Sequence, residues 1–141
     1  MADARDEAQR IMQNLVREQC YLLMLRPADN PPTDFPRSQD ELRVDHHAYL
    51  VDLERRGLLF AAGPCRDGEG WVRGTGILMV RAPNRAEAQK LADEEPYTKA
   101  GFRTVEIVPW QRNEGVTSLN LRLADGVLEL DNRRWRLSPA D

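Results

Sequence analysis

The order of apolar runs and capped amphipathic stretches in this chain predicts an α+β fold of the split βαβ type. Three observations lead there. Apolar runs of strand length begin at Cys20, Leu58, Gly76 and Arg103. Two helix starts, Ser38-Gln39-Asp40-Glu41 and Asn84-Arg85-Ala86-Glu87, stand between the first and second runs and between the third and fourth. The second and third runs have no helical stretch between them, as in a hairpin. At 141 residues, 41% of them hydrophobic and 30% charged, the chain has the size of one domain with appendages.

The elements follow in order. Ala8, Ile11, Met12, Leu15 and Val16 recur at helical spacing and predict a short amphipathic helix in an N-terminal extension, residues 1–19. Cys20 to Leu25 is a continuous apolar run, hence a strand. From Arg26 to Arg37, Pro27, Pro31, Pro32 and Pro36 exclude regular structure. The first capping box then starts a helix whose stripe is Leu42, His46, Tyr49, Leu50 and Leu53, ended by Gly57. Leu58 to Ala62 is the second strand, closed by Gly63-Pro64, and Cys65 to Arg73 is a polar loop. Gly76 to Arg81 is the third strand. The second helix carries Ala88, Leu91 and Ala92 inward and stops at Pro96. Arg103 to Trp110 is the fourth strand, with Val105 and Ile107 on one face.

This order, over residues 20–112, is the ferredoxin-like pattern βαββαβ. In the remainder, residues 113–141, Leu119, Leu121 and Leu123 alternate with polar residues, Asp125-Gly126 offers a hairpin turn, and Leu128 and Leu130 resume the alternation. Trp135 and Leu137 suit a third short strand. Two helices cover one face of a four-stranded sheet, yet the first and third strands are apolar on both faces. The candidate covers are the N-terminal helix, the C-terminal hairpin or a second subunit, and a homodimer is the favoured expectation.

Composition narrows the function. A net charge of −3 gives no basic field for nucleic acid, and Arg133, Arg134 and Arg136 suit a solvated strand edge. No run has the apolar length to cross a bilayer, and Met1 to Arg10 is polar and acidic, unlike a secretory signal. Cys20 and Cys65 make neither a disulfide framework nor a zinc site, so a cytoplasmic protein is expected. Cys65 has no adjacent base to activate it. His46 and His47, being adjacent on a helix, diverge and make a poor metal pair. No metal and no cofactor is expected, since no nucleotide or flavin fingerprint is present.

The chemistry is sought at His46. It lies on the inward stripe, whereas His47 lies on the flank nearer solvent, and an inward imidazole needs a hydrogen-bond partner. The topology puts the start of the first helix and the end of the second at the same end of the domain. Glu95 continues the stripe of Ala88, Leu91 and Ala92 there. Placed at a helix C-terminus, its carboxylate would face the unfavourable end of the macrodipole and gain proton affinity. Tyr49 and Trp71 are the candidate walls of a substrate pocket roofed by the two loops. Against this stands the plainer reading of His46 as a core hydrogen-bonding residue and Glu95 as solvated helix-end charge.

Arg43-Val44-Asp45-His46, Gly57-Leu58-Leu59, Ala62-Gly63-Pro64, Asp93-Glu94-Glu95-Pro96-Tyr97 and Ala100-Gly101 together resemble the YciI-like (YCII-related) proteins of the dimeric α+β barrel superfamily. The resemblance spans about Cys20 to Arg112 and leaves out both extensions. It implies a ferredoxin-like domain packed sheet-to-sheet against another copy, and an active site of a His and an acid. Those positions are His46 and Glu95, with Arg43 the arginine that precedes the His. The family's usual Asp is here Glu95, one methylene longer. Members with assigned chemistry act on small cyclic or aromatic compounds, as dehydrochlorinases, and related barrels include muconolactone isomerases and monooxygenases. The resemblance thus implies a cofactor-independent lyase or isomerase that takes a small-molecule ligand. His46 and Glu95 would exchange protons, and Arg43 would hold an anionic group. The rival is a non-catalytic dimeric binding or accessory module built on the same residues, and a third reading makes the C-terminal strands a protein-docking surface.

Overall fold

The computed structural model describes residues 3–115, 119–122, 127–130 and 133–136. The chain divides into two compact units, Gln19–Trp110 and a second made of Met1–Glu18 with Gln111–Asp141.

The larger unit is the ferredoxin-like domain. Its strands are β1 (Glu18–Pro27), β2 (Leu59–Arg66), β3 (Val72–Arg81) and β4 (Arg103–Arg112), in the spatial order β2-β3-β1-β4. Numbering helices from the chain start, α1 (Ala4–Gln13) belongs to the smaller unit. Helices α2 (Gln39–Arg55), α3 (Arg85–Glu94) and α4 (Pro96–Lys99) belong to the larger one. Strands β1 and β3 pair antiparallel with Leu23 opposite Leu78, Tyr21 opposite Val80 and Leu25 opposite Gly76. Side chains alternate across a strand, so this register gathers Tyr21, Leu23, Leu25, Leu78 and Val80 on one face. Leu53 of α2 and Ala88, Leu91 and Ala92 of α3 pack on that face and complete the core. The opposite face carries Leu22 against Met79 and Met24 against Ile77, all four half-buried.

One local expectation needs correction. Strand β2 is not closed by Gly63-Pro64 but runs through both to Arg66, and β3 begins at Val72, so the connecting loop shrinks to residues 67–71. Pro64 is tolerated because β2 is an edge strand, where a missing N–H leaves no ladder bond broken. Helix α3 does stop before Pro96, ending at Glu94, and Pro96 then opens the separate helix α4 as its first residue, where a missing N–H is no loss.

In the smaller unit, α1 is capped by Asp3, and Leu119–Arg122, Val127–Leu130 and Arg133–Arg136 form a three-stranded antiparallel sheet, β5-β6-β7. The hairpin is therefore extended by a third strand, with Leu128 opposite Trp135. The Asp125-Gly126 turn, Leu123 and Leu137 lie outside the described residues. No helix among the described residues is long and apolar enough to cross a membrane.

Candidate functional site

Helix α2 sets the position of His46. Ser38 accepts from the Glu41 backbone N–H at 3.2 Å, and the Glu41 carboxylate accepts from the Ser38 N–H at 2.8 Å, so both halves of the capping box form. The box fixes the phase of the helix. Leu42 and Leu53 turn fully inward, and His46 lies on the same side with its side chain 13% exposed.

The corner between α3 and α4 sets the position of Glu95. Helix α3 starts at Asn84, whose side chain accepts from the Glu87 N–H, and ends at Glu94. Glu95 then takes an extended conformation and becomes the N-cap of α4. Because Pro96 has no N–H, the first free donors of α4 are those of Tyr97 and Thr98. Glu95 Oε1 accepts from the Tyr97 N–H at 3.1 Å, and Oε2 accepts from the Thr98 N–H and the Thr98 hydroxyl, each at 2.8 Å. The second acceptor direction of Oε1 is filled by His46 Nδ1, at 2.7 Å.

This overturns the electrostatic part of the sequence reading. Glu95 is the C-cap of α3, as expected, but it is at the same time the N-cap of α4, whose N–H donors it accepts from. Complete burial disfavours its charge, but the His46 ring, the Thr98 hydroxyl and the two backbone N–H groups outweigh that and hold its carboxyl below the usual value. An ionised carboxylate only accepts, so Nδ1 of His46 carries the proton. The lone pair of a neutral ring is then on Nε2, which has no hydrogen-bond partner among the described residues.

His46 borders a cavity of about 430 Å³. Arg43, His47 and Leu50 of α2 share its wall with Leu25, with Ala62–Pro64 of β2, and with Val72, Gly74–Gly76 and Leu78 of β3. Tyr97 and Arg103 complete it. The Tyr97 ring meets the His46 ring edge-on at 5.4 Å, and the Arg103 guanidinium lies 4.1 Å above the centre of the Tyr97 ring. Gly74 reaches this wall with φ +86, and a Cβ there would sit 3.1 Å from Pro27 Cγ.

The residues singled out from sequence divide as follows. His46 and Glu95 meet directly, and the longer Glu side chain makes the bond at full strength. Arg43 lines the cavity but is 64% exposed, and its guanidinium pairs with Asp40 at 3.0 Å. Tyr49 is absent from the lining: its hydroxyl donates to the Leu91 carbonyl at 2.6 Å and so ties α2 to α3. Burial first, then the charges of Glu94 and Glu95, push that hydroxyl well above its ordinary pKa, so it stays protonated. Trp71 is also absent, 63% exposed at the β2–β3 turn. Sequence reasoning passed over Tyr97 and Arg103. Tyr97 had a signal, since a Pro at the first helical position directs the residues behind it into the corner. Arg103 had none beyond being a cation at a strand start.

The larger unit is thus an α+β domain of ferredoxin-like architecture with a His–acid pair at the edge of a cavity. The model of the YCII-related domain matches residues 21–111, so the chain belongs to the YCII-related family. No curated protein matches the sequence. Among solved structures, the chain is similar to 5-chloro-2-hydroxyhydroquinone dehydrochlorinase from Burkholderia phenoliruptrix AC1100 in complex with 2,5-dihydroxybenzoquinone. The identity is 22% over 64% of this chain and 92% of that one, with a TM-score of 0.47.

Proposed function

We propose that this chain is a small-molecule enzyme in which His46, oriented by Glu95, moves a proton at a small cyclic or aromatic substrate. The observation that carries the reading is the 2.7 Å bond between His46 Nδ1 and a fully buried Glu95 at the edge of a cavity. A fixed tautomer leaves Nε2 as the base, and the adjacent carboxylate stabilises the imidazolium formed when the base takes a proton. In an elimination, Nε2 takes the proton from a ring carbon. The C–H pair becomes the new double bond, and a leaving group such as chloride departs with its own bonding pair. In an isomerisation, the same imidazolium returns the proton to a different carbon. Neither sequence of steps calls on a redox cofactor. Arg43 and Tyr97 border the place where the ring would lie. We propose also that the half-buried sheet face around Leu22, Met24, Ile77 and Met79 is closed by a second copy of the chain.

The test uses wild type, His46→Ala and Glu95→Gln against chlorinated hydroxyphenols and small unsaturated lactones, reading chloride release and deuterium uptake from heavy water. Wild type should turn over at least one member. His46→Ala should fall by about 10²–10⁴-fold, the usual worth of general acid–base assistance, with near-native melting. Unchanged exchange in His46→Ala would overturn the reading. Lower melting with ligand binding intact would instead make the pair a structural clasp in a non-catalytic module.

A further inference from the structure

Among the described residues, cations line the cavity beside His46 and no acid does. Its ionisable wall groups are Arg43, His46, His47 and Arg103 together with the Tyr97 phenol, whereas the chain as a whole has 23 acidic and 20 basic residues. Glu95, the carboxylate bonded to His46, is wholly buried and absent from the lining. The two arginines differ in kind. Arg43 is mostly exposed and already paired with Asp40. Arg103 is half-buried, stacks on Tyr97, and has no carboxylate partner among the described residues. Arg103, Tyr97 and Gly74 also border a second cavity of about 440 Å³, beside Pro27 and Pro31, whose lining again holds no acid. Arg103 therefore borders both open spaces, with its guanidinium carbon 4.1 Å from the centre of the Tyr97 ring.

We infer that Arg103 is the substrate-anchoring residue of this site, and that the substrate class is a small ring compound bearing a carboxylate. This rests on the proposed function and names its substrate. A guanidinium offers two parallel N–H donors that fit the two oxygens of a carboxylate, and the cation–π contact with Tyr97 restrains the side chain before the ligand arrives. Leu25, Leu50, Pro64 and Leu78 supply the apolar walls for the ring. With the carboxylate on Arg103, the ring lies against Tyr97, the side chain that His46 meets edge-on.

Benzoate and its neutral counterpart benzamide are the probes, titrated calorimetrically into the full chain at low ionic strength. Wild type should prefer benzoate by about tenfold or more, the ratio expected of one charge-assisted pair. Arg103→Met, which keeps the stem over Tyr97, should lose that preference. Arg103→Lys should keep part of it, as a charge without the planar fork. Arg43→Met should lose less than Arg103→Met, and Arg56→Met, which removes the same charge from the exposed end of α2, should lose nothing. Equal affinity of wild type for the two probes would overturn the inference. So would a preference that survives in Arg103→Met, or a greater loss in Arg43→Met. If Arg103→Met does not fold, an undiminished preference in Arg103→Lys overturns it in the same way. His46→Ala separates this inference from the proton-transfer reading: it should keep the benzoate preference while losing turnover.

Discussion

The two faces of the central strands differ although their residues are equally apolar. On one face Leu23, Leu25, Leu78 and Val80 are 0–3% exposed, sealed by α2 and α3. On the other, Leu22, Met24, Ile77 and Met79 stay half-buried, with Val108 and Trp110 each 39% exposed at the β4 edge. There Phe60 and Trp110 approach to 6.3 Å between ring centres, and Arg81 lies over Phe60. Alternation along one strand thus feeds two environments. An apolar residue in β1 or β3 stabilises the domain through its own helices or through whatever covers the other side. Which it does depends only on whether its position is odd or even.

Substitutions can break that contrast. The largest effect should come from Leu23→Ala, which opens a hole under the helices and should lower unfolding free energy by about 2–5 kcal/mol in denaturant titration. Met79→Ala should cost less in the isolated domain, and equal losses would erase the distinction between the faces. Next comes Glu95→Ala, which strands the His46 ring, the Thr98 hydroxyl and two backbone N–H groups and should cost on the order of 1–3 kcal/mol.

Glu95 also gives a pH signature. Its folded pKa is lowered, so the folded state binds fewer protons than the unfolded chain. The corresponding stability is complete above the ordinary carboxylate value of about 4.3 and is lost as pH falls through the lowered one. Melting curves of Glu95→Gln should lack this acid-limb component, and an identical acid limb would contradict the lowered value. Ser38→Ala should cost about 1 kcal/mol by removing the cap that phases α2. Trp110→Glu should be the mildest for the domain itself, within about 0.5 kcal/mol as for most surface changes. If the proposed second copy sits on that face, the same change should shift sedimentation from dimer to monomer. A wild type that sediments as a monomer would remove that proposal.

The fold was legible because its signals are local. The capping box at Ser38, the turn at Gly57 and the β1 run each act within a few residues, and all formed as expected. Gly63-Pro64 reads as a stop, although proline also suits an edge strand, and sequence alone does not show which neighbour is missing. Pro96 does end α3, but that it also opens α4 has no local signal. The meeting of His46 with Glu95 was legible from helix phase and strand direction. Its electrostatics were not, because they depend on α4, whose four residues give no periodic signal. Tyr49 was correctly placed inward, but only the helix crossing shows that its hydroxyl is spent on Leu91. Arg103 joins the site through the strand order, which no local pattern records.

One carboxylate holds both the first turn of α4 and the His46 ring. The corner and the imidazole are therefore not independently variable. A residue at position 95 that orients the ring but cannot reach the Tyr97 and Thr98 amides frays the turn. One that caps the turn but cannot accept from Nδ1 frees the ring to rotate. Helix stability and ring orientation are thus filtered by the same side chain, so substitutions there are screened twice for one position.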